Sequence, residues 1–168
     1  GVMVIARTQE YFEYLKSLFA GREMRKTYLA VVFGKPKEVT GIIRAPIGIK
    51  AGTTKRSIHS EKFSKEAITE YELLGDFPVE SDMEHYSLLA VRPKTGRTHQ
   101  IRVHLASIGN SVVGDPLYGK KKQPAWATRL MLHAWKIEFP TKEGERLQFE
   151  ADPPREFHLG ELSTPEIG

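Results

Sequence analysis

The stretch from Pro93 to Gly109, PKTGRTHQIRVHLASIG, restricts the fold more than any other part of the sequence. Ile101, Leu105 and Ile108 recur at i, i+4 and i+7, the spacing of one helix face, and Gly109-Asn110 supplies a helix stop. Alternation over Ile101, Val103 and Leu105 would suit a strand, but it leaves the Gly109 signal unused. The spacing therefore predicts a helix capped near Thr98. Arg97, His99, Arg102 and His104 are interleaved with these anchors. Arg102 falls in the first turn, beside backbone N–H groups that already favour an anion. A cation there is unfavourable unless something negative is held against it. The element must be packed into a core and face a charged site at once.

Elsewhere the pattern is mostly that of strands. GVMVIA opens the chain as a β-branched apolar run, and KTYLAVVFG reads as a buried strand stopped by Gly34-Lys35-Pro36. GIIRAPIG is short and bounded by Gly and Pro. AITEYELLG and YSLLAVRP read as strands joined by an irregular acidic connection, DFPVESDMEH. RLMLHAWKIEF and RLQFEA flank a glycine-containing hairpin turn, Thr141 to Glu145. Besides the 93–109 stretch, one more helix is expected. Thr8 caps it, Tyr11, Leu15 and Leu18 are buried beside Phe12 and Phe19, and Gly21 ends it. βα alternation is absent. The chain is α+β, with a largely antiparallel or mixed sheet. One domain is expected, and the patternless tail after Phe157 should fray.

The 168 residues, 40% of them hydrophobic, suffice for one core and show no apolar run of membrane-spanning length. Cysteine is absent, which excludes disulfides and thiolate chemistry and fits a reducing compartment. The net charge of +4 is unevenly spread. KAGTTKRSIHSEKFSK, residues 50–65, holds five Lys/Arg, including Lys55 and Arg56, against one acid, and reads as a mobile loop. Lys120, Lys121 and Lys122 are consecutive. Such clustering suits a polyanion, RNA or DNA ahead of a membrane, although solvated loops account for it equally well.

A metal site would need the histidines. On a helix His99 and His104 diverge by about 140°, so they do not share a ligand face. No phosphate-binding glycine loop or nucleophile elbow is present. Taken singly, Tyr28 reads as a core tyrosine, Asp115 of GDPLYG as a turn-forming aspartate, and Arg102 as half of a structural ion pair.

Taken in order, KTYLAVV, RAPIG, SKEAITEYELL, TGRTHQIRVHLASIGNSVVGDPLYG and RLMLHAW resemble the RluA-type RNA pseudouridine synthases from Gly1 to about residue 158. The resemblance implies a mixed, mostly antiparallel sheet with flanking helices and loops around a central cleft. It also implies cofactor-free isomerisation of uridine to pseudouridine in structured RNA, rRNA or tRNA. That reaction breaks the N1–C1′ bond, turns the base over, joins C5 to C1′ and removes the C5 proton. A carboxylate near C1′ acts either as nucleophile or on a sugar proton, and a cation must keep it ionised and oriented. The extruded base needs an aromatic platform.

By the same resemblance Arg102 is the cation beside the catalytic aspartate, and Tyr28 stacks on the uracil and assists removal of the C5 proton. Arg97, His99 and Gln100 shape the loop beside the nucleotide, and Leu130 and Leu132 touch the base. Lys55, Arg56, Lys120, Lys121 and Lys122 are expected to track the RNA backbone with Arg97. The family's aspartate lies in an H-R-L-D-x-x-T-S-G segment whose last glycine matches Gly1, which places it five residues upstream of this sequence. Arg102 is accordingly expected to stand without its carboxylate. The reading is a synthase catalytic domain, 1–158, lacking its N-terminal part and inactive alone, with 159–168 a frayed tail. It is expected to be a cytoplasmic monomer with RNA as partner and with no membrane, metal or cofactor. An RNA-binding remnant without catalysis is the alternative. A phosphate-directed hydrolase using His99 and Arg97 is weaker, because no base-and-metal set completes it.

Overall fold

The computed structural model describes residues 1–49, 53, 55–60, 62–79 and 84–157. A six-stranded sheet forms the body. Its strands are β1 (Arg25–Phe33), β2 (Thr40–Arg44), β5 (Ile68–Val79), β6 (Glu84–Pro93), β7 (Leu132–Pro140) and β8 (Arg146–Glu150). The spatial order is β2-β5-β6-β1-β7-β8, and every pairing is antiparallel. Two short strands, β3 (Gly48–Ile49) and β4 (Arg56–Ser57), pair separately. The helices are α1 (Gln9–Ala20) and α2 (Gln100–Ser107).

β1 is the central strand, buried without break from Leu29 to Phe33. It pairs with β6 on one side and with β7 as far as Ala30 on the other. Beyond Ala30 its edge passes to the segment after α2, through a Val32–Val112 bridge and the bond from Phe33 N–H to Ser111 O. The return from α2 is thereby built into the sheet core. Ile101, Leu105, Val112, Val113 and Met131 belong to the same buried cluster as β1.

Several expectations change. Residues 1–6 are extended but form no strand, and among the described residues their one ladder-like bond is Val2 N–H to Ala134 O. Alternation survives, however. Val2, Val4 and Ala6 pack inward beside α1, while Met3 and Ile5 are exposed. Thr8 does cap α1, accepting from Tyr11 N–H, and Gly21 ends it. That helix buries only Leu15 and Leu18, against Met24, Ile137 and Phe139. Tyr11, Phe12 and Phe19 lie outside this narrow stripe and are exposed.

The N-cap of α2 is His99, in the left-handed region at φ 56°, and not Thr98. Ile108 lies past the helix end and is exposed, while Val103 and His104 are buried instead. β5 runs through Asp76 to Val79, a stretch expected to be irregular. Residues 50–52, 54 and 61 of the basic segment, and the tail from 158, lie outside the described residues.

Candidate active site

Where β1 meets α2, a cavity of about 350 Å³ is lined by Tyr28, Arg97, His99, Gln100, Arg102, Leu130 and Leu132, with Lys26 and Thr95 beside them. All seven residues expected to catalyse or to bind the nucleotide are therefore brought together. Tyr28 is half-buried. Its hydroxyl makes no hydrogen bond among the described residues, and burial raises its pKa, so it is a protonated phenol at neutral pH. Gly1 packs against Ala134, the β7 residue paired with Tyr28, so the N-terminus opens beside the site.

Arg102 is not alone. Its Nε donates to Asp115 Oδ2 at 2.8 Å and its Nη2 to Oδ1 at 2.7 Å, a side-on, two-bond match of guanidinium and carboxylate. The side chain of Asp115 is 0% exposed and that of Arg102 12%. Asp115 Oδ1 also accepts from the N–H groups of Leu117 and Tyr118, which shapes the turn. Burial alone would raise the Asp115 carboxyl, but these hydrogen bonds and the adjacent guanidinium bring it below its ordinary value. The ion pair and the turn, the two simple readings of these residues, both hold. The expectation of an unpaired Arg102 is corrected. Because the match uses Nε and Nη2, Nη1 is left without a hydrogen bond among the described residues.

The turn after α2 depends on two glycines. Gly114 has φ +73°, and a Cβ there would overlap the Arg129 carbonyl. Gly109 also has positive φ, +86°, but faces open space. Gly114→Ala is expected to lower the melting temperature well beyond Gly109→Ala, whose cost is strain alone, about 1–3 kcal/mol. Thermal unfolding followed by circular dichroism checks the order.

Tyr118 is a junction that the sequence did not single out. The guanidinium of Arg102 lies 5.0 Å from its ring centroid. Its hydroxyl accepts from Arg56 N–H at 2.9 Å and lies 3.1 Å from His99 Nδ1. With one lone pair taken by Arg56, the hydroxyl can give its proton to a neutral His99. Burial, then the nearby Arg102 charge, depresses the His99 pKa in agreement.

Gln100 is fully committed. Its Oε1 accepts from Thr95 Oγ1 and Arg97 N–H, and its Nε2 donates to Ile68 O and Thr69 Oγ1. It ties the loop to β5 and has no group left for a ligand. His104 and His133 are also occupied. His104 Nε2 bonds Ala45 O and its Nδ1 bonds Thr69 Oγ1, while His133 Nε2 bonds Ala151 O. Among the described residues no cluster of three or more His, Asp or Glu could hold a metal.

The expected RNA-tracking cations are scattered. Arg56 lines a neighbouring cavity that shares Gly96 and Arg97 with the site. Lys55 is exposed nearby. Lys120 lies over Phe33, five residues along β1 from Tyr28 and hence about 17 Å away. Neither it nor the exposed Lys121 and Lys122 lines the site cavity. Lys26, which the sequence reading omitted, does line it. Its position two residues before Tyr28, on the same strand face, was the available signal.

The sequence and the fold resemble those of known proteins. Residues 1–107 match the family model described as RNA pseudouridylate synthase. The chain is 33% identical over 157 residues to ribosomal large subunit pseudouridine synthase D of Borreliella burgdorferi, covering 94% of this chain and 46% of that protein. It is 34% identical over 134 residues to the dual-specificity RNA pseudouridine synthase RluA of Escherichia coli, covering 80% and 59%. The structure of human RNA pseudouridylate synthase domain containing 1 superposes with a TM-score of 0.77 at 28% identity, over 89% of this chain and 62% of that one. This chain belongs to the RluA-type RNA pseudouridine synthase family. It spans about half the length of the first curated relatives it matches.

Proposed function

We propose that this chain forms the uridine pocket of an enzyme that isomerises uridine to pseudouridine in structured rRNA or tRNA. The observation that carries the reading is the convergence of Tyr28, Arg102, Leu130 and Leu132 on one cavity. A flipped uracil would lie between Tyr28 and the two leucines. Stacking of about 1–3 kcal/mol would offset much of the few kcal/mol needed to extrude the base. Arg102, held rigid by Asp115, would present Nη1 to the carboxylate that works at C1′.

That carboxylate is not among the described residues lining the cavity, which include no Asp or Glu. Asp115 is unsuited to the role, because its oxygens are shut off from solvent and already accept from Arg102 and two backbone N–H groups. The 168 residues alone should therefore bind RNA without forming pseudouridine. Joining an aspartate-bearing H-R-L-D-type segment ahead of Gly1 should confer isomerisation.

Tritium release from RNA labelled at uridine C5 tests both statements. No release by the chain alone, release by the extended protein, and loss again on changing its aspartate to asparagine are expected. Release by the chain alone would overturn the assignment of an external carboxylate. Absence of release from the extended protein on rRNA and tRNA would overturn the isomerase reading.

A further inference from the structure

Beside the uridine cavity lies a second one, also about 350 Å³, which shares Gly96 and Arg97 with it. Arg56, Lys65 and Arg97 line it, with no carboxylate among the described residues, over an apolar floor of Ile47 and Ile49. None of the three cations is in an ion pair among the described residues. Arg56 Nε is closed off from solvent and has no hydrogen-bond partner among those residues. Such a donor is unfavourable until an acceptor reaches it.

Thr98 and Phe63 complete the wall, and Phe63 is 71% exposed and held at φ +53°. A bulky residue seldom adopts that conformation, and here the strain is not offset by burying the ring. The Lys62 ammonium lies 5.9 Å from the centre of this exposed ring. Cations around an exposed aromatic ring form the combination that holds single-stranded nucleic acid.

We propose that this cavity is a second nucleotide subsite. It takes the RNA nucleotide next to the target uridine, with its base on Phe63 and its phosphate against Arg56, Lys65 and Arg97. The proposal rests on the RNA reading above and adds a residue-level contact outside the uridine pocket. The shared wall at Gly96 and Arg97 sets the two nucleotides side by side. The bond from Arg56 N–H to Tyr118, whose ring lies against Arg102, links occupancy of the subsite to the site itself.

Fluorescence anisotropy of a labelled ten-nucleotide oligouridylate, titrated with the chain over a range of salt, tests this. Phe63→Gly is the informative variant, because glycine adopts φ +53° freely and the fold should be kept. It should weaken binding about 5- to 150-fold at every salt concentration without altering the salt slope, since stacking releases no counterions. Phe63→Trp should restore affinity. Lys65→Gln should instead flatten the slope by about 0.7.

If the parent chain binds and Phe63→Gly binds equally well, the subsite is wrong while the uridine pocket stands. A Phe63→Gly loss that appears only as a changed slope also sinks it. If the parent chain fails to bind at low salt, the RNA reading falls and the subsite with it.

Discussion

Asp115→Asn is expected to destabilise the chain by about 3–5 kcal/mol, the cost of leaving a buried guanidinium without its anion. The carboxylate side chain is wholly buried, and its partner is nearly so. Asparagine fills the same space and can still accept the Leu117 and Tyr118 N–H groups, so the loss isolates the charge. Urea unfolding at neutral pH measures it. Replacing both partners, Arg102→Met with Asp115→Asn, should cost less than the sum of the two single changes, because no uncompensated charge remains.

The same pair sets a pH dependence. The folded-state carboxyl lies below its ordinary value, so its stabilisation is complete above about pH 4 and is lost as pH falls through the folded value. His104 adds an earlier step. Burial depresses its pKa, though the Ala45 carbonyl partly offsets this, so the folded state resists protonation. Stability should therefore begin to fall below about pH 6.5. Asp115→Asn should keep the His104 step and lose the acid one. A variant with unchanged stability and the parental acid profile would show that the ion pair contributes nothing.

How far all this could be read in advance follows from what each residue depends on. β1, β5, β6, β7 and β8 were legible because burial in a sheet writes itself as apolar runs between turn residues. The hairpin at Thr141–Glu145 was legible from local chemistry, and Gly144 does take φ +90° there. Tyr28 and Arg102 were legible only through ordered motifs, since neither residue type is diagnostic alone.

What stayed hidden depends on distant parts of the chain. Arg102 in the first turn of α2 demanded an anion, but nothing local said it was Asp115, thirteen residues on, folded back by a turn around Gly114. Gln100 looked like a ligand residue because two of its four hydrogen bonds reach β5, some thirty residues earlier, where no local pattern shows them. Lys120 to Lys122 form a cluster in sequence, yet Lys120 sits at the far end of β1 from Tyr28. Charge clustering reports composition, and only the path of the chain decides which cleft it rims.

In the extended, carboxylate-bearing protein, Arg102→Lys is expected to lower the rate of tritium release by about 10²- to 10³-fold, the usual cost of losing one aimed electrostatic contact. KM should change little, because Tyr28, Leu130, Leu132 and the cations of the neighbouring cavity are untouched. The reason lies in the geometry of the pair. Arginine uses Nε and Nη2 for Asp115 and still has Nη1 for a second anion. A lysine ammonium is one point charge on a flexible stem and cannot hold Asp115 through two parallel bonds while reaching into the cavity. Asp115→Asn should show much of the same defect in turnover, since it frees the guanidinium to rotate, although Asp115 touches no substrate. Tyr118→Phe removes one hydrogen-bonded hydroxyl and should cost only about 2- to 10-fold. The order Arg102→Lys, then Asp115→Asn, then Tyr118→Phe distinguishes a guanidinium positioned by its neighbours from one that merely stabilises the fold. An Arg102→Lys enzyme that retains activity within about threefold would reduce Arg102 to a structural ion pair.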